Sequence, residues 1–100
     1  MIRGTTPTHI FTLPFGIETI KTIQIIYAQS GAEKLTKSNE DCMLDGNTVT
    51  VKLTQEDTFL FDDGVCVEVQ VRVLTNGGDA LASRVMRVRC EECLSCEVLQ

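Results

Sequence analysis

Residues Val65–Thr75 read VCVEVQVRVLT. Val67, Val69, Val71 and Val73 fall on one side of an extended chain; Cys66, Glu68, Gln70 and Arg72 fall on the other. A period of two carried by β-branched residues describes a strand with one buried face. The next bend, Asn76-Gly77-Gly78-Asp79, sets two glycines at the centre of a two-residue loop, where a type I′ turn takes positive φ twice. That loop predicts a returning strand with Val73 opposite Ala82, Val69 opposite Met86 and Val67 opposite Val88, all facing inward. It also sets Glu68 opposite Arg87 on the outer face, an opposite-charge pair. Arg84 then faces Val71, a charge against a core valine, which marks a bulge or a contact site. A slip of one residue sends the valines to solvent, so the register is strongly specified.

The remaining strands are read outward from this hairpin. Thr8–Leu13 is a first strand, stopped by Pro14. Glu18–Gln29 is open to two readings: Ile17, Ile20, Ile23 and Ile26 recur every three residues, as on a helix, while Ile23, Ile25 and Tyr27 alternate as on a strand. Its β-branched residues lose rotamer freedom in a helix, which favours the strand. Ser30-Gly31 turns the chain into Ala32–Lys37. Asp45-Gly46-Asn47 joins Cys42–Leu44 to Thr48–Leu53, with Val49, Val51 and Leu53 facing the core. Thr54 and Asp57 are spaced to cap a single helical turn reciprocally. Phe59, Leu60 and Phe61 then plug the core at a corner.

About seven strands with turn signals every 8–12 residues predict an all-β fold, an antiparallel β-sandwich of immunoglobulin-like architecture. A core Trp and a Cys66 partner, marks of a true immunoglobulin domain, are missing. The expected organisation is one domain over 1–89, with an N-terminal arm at 1–7, and a cysteine-containing tail over 90–100.

Composition narrows the functional classes. A chain of 100 residues with 43% hydrophobic content has enough apolar material for a core of its own. No 18-residue apolar run is present, and the N-terminus lacks the apolar stretch of a secretory signal. The expected compartment is therefore the cytosol, with reduced thiols. Fourteen acidic against nine basic residues leave a net charge of −5. Nucleic-acid binders need a basic patch. The only basic cluster here, Arg84, Arg87 and Arg89, is followed at once by Glu91 and Glu92, so neither a nucleic-acid nor a membrane partner is expected.

Chemistry-bearing residues are few. Cys90, Cys93 and Cys96 have a C-x2-C-x2-C spacing; on a helical turn the three sulfurs share a face and suit a soft ion such as zinc, with Cys66, Cys42 or His9 as a fourth ligand. Three is one ligand short, and Glu91, Glu92 and Glu97 oppose thiolate formation. The bland reading is a loose tail with unpaired thiols. His9, the single histidine, needs a neighbouring Cys or Ser and a third orienting group to act as a base; on a first strand it reads as an edge residue. The acidic pairs lack calcium-loop spacing, and Asn76-Gly77-Gly78 joins two strands, so it is no phosphate cradle. No catalytic constellation is legible.

Four phrases, RGTTPTHIFTLPF at 3–15, IIYAQ at 25–29, LTQEDT at 53–58 and VEVQVRVLTNGGDALAS at 67–83, resemble small, mostly uncharacterised proteins encoded by bacteriophages and prophages of Gram-positive gut bacteria. The similarity spans 3–83 and departs at Arg84–Gln100. It implies a compact β-sandwich serving as a virion or tail-assembly part, without catalytic residues or cofactor, found in the host cytoplasm during assembly or in the virion. The implied partners are copies of itself, as a homo-oligomer, or another virion protein. The candidate contact surface is the outward face around Glu68, Gln70, Arg72, Val85 and Arg87, together with the arm and the tail.

Overall fold

All four valines of the founding strand are buried. The structure is a computed structural model and describes residues 1–100. The strands are β1 (Thr8–Thr12), β2 (Ile20–Gln29), β3 (Ala32–Ser38), β4 (Cys42–Asp45), β5 (Thr48–Lys52), β6 (Val67–Thr75), β7 (Ala80–Ala82) and β8 (Met86–Val88). One short helix, α1 (Gln55–Phe59), precedes β6. The fold is all-β, in two antiparallel sheets. The smaller has the order β1-β5-β4; the larger runs β3-β2-β6, with β7 and β8 both pairing β6 on its remaining side.

The two sheets share one core. Val49 and Val51 enter it from β5; Ile23, Ile25 and Tyr27 from β2; Val67, Val69, Val71 and Val73 from β6, with Leu13, Leu53, Phe61 and Cys90 closing the ends. Burying one such side chain is worth roughly 1.5–3 kcal/mol. Turning β2 or β6 over by one residue forfeits several of these at once, a sum comparable with the whole stability of a small domain. That settles β2 as a strand. Ile26, which a helical period groups with Ile23, sits on the opposite face across from Gln70.

The chain crosses between sheets three times: β1 to β2, β3 to β4, and β5 through α1 to β6. The last crossing is locally encoded. Thr54 Oγ1 accepts from Asp57 N at 3.1 Å, and Thr54 N donates to Asp57 Oδ2 at 2.9 Å, so two otherwise orphaned amides of α1 are satisfied. Phe61 is buried at this corner, but Leu60 turns outward.

Two readings of the returning strand need correction. The Asn76 bend is not a two-residue type I′ turn. Thr75 N donates to Asp79 O at 2.8 Å, and of the two glycines only Gly78 has positive φ (90°). This is a three-residue loop ending in a left-handed glycine, which moves the first part of the returning strand by one position. Val73 therefore faces Leu81, not Ala82. Further along, Glu68 faces Arg87, Val69 faces Met86 and Val67 faces Val88, the register read from the sequence. The two stretches are reconciled by one extra residue in Ser83–Val85, the bulge that Arg84 marked. Ser83 anchors it: Val71 N donates to Ser83 Oγ at 3.0 Å and Ser83 N donates to Val71 O at 2.8 Å.

The bulge also explains why there are eight strands and not about seven: the returning strand is broken into β7 and β8. The segment read as an arm is hydrogen-bonded into the fold: the Met1 ammonium donates to Arg89 O, Arg3 N to Glu91 O, and Gly4 N to Thr58 Oγ1. The stretch read as a tail starts with Cys90 inside the core.

Candidate functional site

The predicted contact residues lie on the outer face of the larger sheet. Gln24 pairs with Arg72, Ile26 with Gln70 and Ala28 with Glu68, so these side chains share one surface. Arg87 reaches it from β8, its Nη2 lying 3.7 Å from Glu68 Oε2. Arg72 is exposed and forms no salt bridge; with Thr22, Gln24, Leu74 and Ala80 it lines a shallow depression. Val85 sits apart from this group, in the bulge at the sheet's margin. The surface's one charge pair is worth well under about 1 kcal/mol at this exposure.

A second surface was not legible as such in the sequence. On one flank of the molecule, β1 of the small sheet and β7 and β8 of the large sheet leave the interior partly unsealed. Leu13, Phe15, Val71, Val73 and Leu81 line one opening there, and His9, Phe11, Val69 and Val88 line a second, each about 230 Å³. Leu81, Val85 and Met86 are exposed along this margin. On β1 itself Ile10 is 66% exposed. The signal available beforehand was the stretch Gly4–Ile17, which contains no Asp, Glu, Lys or Arg.

The titratable groups between the sheets are used structurally. His9, Val51 and Cys42 form one row across the small sheet. His9 Nδ1 and the Tyr27 hydroxyl share a 2.7 Å hydrogen bond across to the large sheet. Burial, reinforced by the N-terminal ammonium, lowers the His9 pKa. Burial, then the nearby Cys42 and Asp57, raises that of Tyr27. Both rings are thus held neutral, and the bond joins the layers. Burial also raises Cys42, with Asp41 adding to the shift and Lys37 opposing it. Burial alone pushes the Asp57 carboxyl up, but the 2.9 Å contact with Lys37 Nζ and the hydrogen bonds from Thr54 outweigh it and hold the carboxyl below its ordinary range.

The cysteine reading meets a different geometry. Cys90–Cys96 forms no helical turn: Cys90 points into the core, Cys93 is half-buried and Cys96 is exposed. At its start the segment pairs outside any helix: Gly64 N donates to Cys90 O and Glu91 N donates to Met1 O. The three sulfurs therefore do not share a face, and no group of three or more His, Cys, Asp or Glu side chains is gathered for a metal ion. Burial raises the Cys90 thiol pKa, the Met1 ammonium and Arg3 opposing, Asp63 and Asp62 reinforcing. No helix is long and apolar enough to cross a membrane.

Comparison of the chain with protein-family models, with curated proteins and with solved structures found no match.

Proposed function

We propose that this chain is a non-enzymatic interaction module, an assembly component of a phage or prophage particle working through protein–protein contacts. The observation that carries the reading is the partly unsealed flank, where Ile10, Leu81, Val85 and Met86 stand exposed beside openings onto core valines. Four of the nine exposed large apolar side chains stand on this margin, and apolar side chains beside an open core suit a contact surface. The sequence resemblance to phage and prophage proteins supplies the biological setting.

The connectivity supports an immunoglobulin-like reading of the fold. The orders β1-β5-β4 and β3-β2-β6 with β7 and β8, crossed at β1–β2, β3–β4 and β5–β6, match an immunoglobulin sandwich that lacks its first edge strand. Architecture of this kind hosts many functions, so the functional reading rests on the surface and not on the topology.

The test is affinity capture of the tagged chain from a culture in which the source phage or prophage is induced. Recovery of capsid or tail proteins, identified by mass spectrometry and absent from an uninduced control, is the expected result. Recovery of none, with the chain missing from purified particles, overturns the proposal.

A further inference from the structure

We infer that β1 is a self-complementary edge through which two copies of the chain pair antiparallel about a two-fold axis at Ile10. The inference rests on the reading of the chain as an interaction module and names its partner as a second copy.

The backbone decides which groups are free. Leu13 N donates to Asn47 O, and Leu53 N donates to Pro7 O. In an antiparallel ladder hydrogen-bonded positions alternate, so Pro7, His9, Phe11 and Leu13 direct their polar groups toward β5. Thr8, Ile10 and Thr12 direct their N–H and C=O groups the other way, and β1 has no neighbour on that side.

Place a second β1 there, antiparallel, with Ile10 facing Ile10 of the second copy. Thr8 then faces Thr12, and Thr12 faces Thr8. Every outward N–H and C=O of these three residues finds a partner, in both copies, because the pattern Thr-x-Ile-x-Thr reads the same in either direction about its centre. On the outer face the two exposed isoleucines meet between threonine pairs; on the inner face His9 stands opposite Phe11. The result is one continuous six-stranded sheet.

Charge sets this edge apart from β3, β4 and β8, while β7 is uncharged but only three residues long, between Asp79 and Arg84. Each chain carries a net charge of −5, so copies repel in general. Natural edge strands are guarded against pairing by charged side chains. β3 carries Glu33, Lys34 and Lys37, Asp41 and Asp45 bracket the β4 edge, and β8 contains Arg87 between Arg84 and Arg89. β1 has no such guard, and its only titratable group, His9, is engaged with Tyr27. The exposed Leu81, Val85 and Met86 lie along the same flank, where a second copy adds cover.

Light scattering from low micromolar to millimolar concentration, with amide hydrogen exchange on the same samples, tests the pairing. The expected result is a mass rising toward twice that of the monomer, with Thr8, Ile10 and Thr12 amides gaining protection as it rises. Ile10→Lys guards the edge and stays monomeric throughout; at low micromolar concentration, where the wild type is monomeric too, its thermal unfolding is unchanged because the side chain is exposed. A wild-type monomer at millimolar concentration overturns the inference. So does a dimer that survives Ile10→Lys, or one whose three amides exchange as fast as in the monomer. A monomer that still captures capsid or tail proteins overturns self-pairing alone, whereas one that captures none removes the functional reading as well.

Discussion

Gln29 is an amide side chain sealed in the interior, and it shows how one residue can hold a loop. Its Nε2 donates to Asp62 O and Val65 O at 2.8 and 3.1 Å, and its Oε1 accepts from Asp62 N at 2.7 Å. The chain between α1 and β6 is thereby tied to the end of β2. Gln29→Leu keeps the volume and orphans three part-buried backbone groups. An unsatisfied buried group costs about 1–3 kcal/mol and water offsets part of that for part-buried ones, so the variant is expected to lose about 1–2 kcal/mol in urea unfolding; a change below the scatter of the measurement contradicts this role. His9 gives a pH signature. Its pKa is lower in the folded than in the unfolded chain, so the unfolded chain binds the extra proton first. Stability is complete above about pH 6.5, the ordinary imidazole value, and falls as the pH drops from there toward the folded value. The melting temperature is expected to decline between neutral and mildly acidic pH, and His9→Gln to flatten that decline. An unchanged slope in the variant assigns the effect elsewhere.

At the scale of elements, the β6–β7–β8 hairpin separates what side-chain period specifies from what turn geometry specifies. Alternation decided that β6 shows its valines inward; the Glu68–Arg87 pair came from the loop reading and holds because the later bulge offsets the extra loop residue. The loop conformation was not decided by composition: two adjacent glycines are compatible with a two-residue and a three-residue loop, and the difference moves β7 by one residue. β7 tolerates that because all three of its residues are exposed, and the Ser83–Val85 bulge restores the register before β8. The loop makes a sharp prediction. Gly78 has φ of 90° and Gly77 is outside the left-handed region, so Gly78→Ala is expected to cost about 1 kcal/mol while Gly77→Ala stays within about 0.5 kcal/mol of wild type. Equal losses in chemical denaturation support the type I′ loop instead. At the Gly4 contact, a Cβ meets the Phe59 ring at 2.6 Å, and φ is 79°. Gly4→Ala is therefore expected to destabilise by about 1–2 kcal/mol, and to loosen the N-terminal segment in hydrogen exchange.

For the molecule as a whole, both sheets bury their side chains in a single cluster, and the His9–Tyr27 bond bridges them. Neither layer has a second core to fall back on, so unfolding is expected to be one cooperative transition. Tyr27 is the only tyrosine, it is fully buried, and there is no tryptophan. Its near-ultraviolet signal therefore reports the interface between the sheets, and the far-ultraviolet signal reports the strands. Coincident thermal curves are expected; a tyrosine signal lost ahead of the strands indicates layers that separate first.

The order of residues by itself determined the all-β class, the facing of β2 and β6 and the α1 capping box, because each depends on neighbours a few positions apart; it left Arg84 as a bulge or a contact site. The quiet stretch Gly4–Ile17 was visible as well, without its meaning. Only the tertiary structure decided that Cys90 enters the core and parts from Cys93 and Cys96, that Gln29 holds Asp62, and that β1 lies on a free edge beside β7 and β8. Those outcomes are set by contacts between segments far apart in the chain. Such contacts depend on where each strand is placed, and a side-chain period says which face is buried without saying which strand lies next to it.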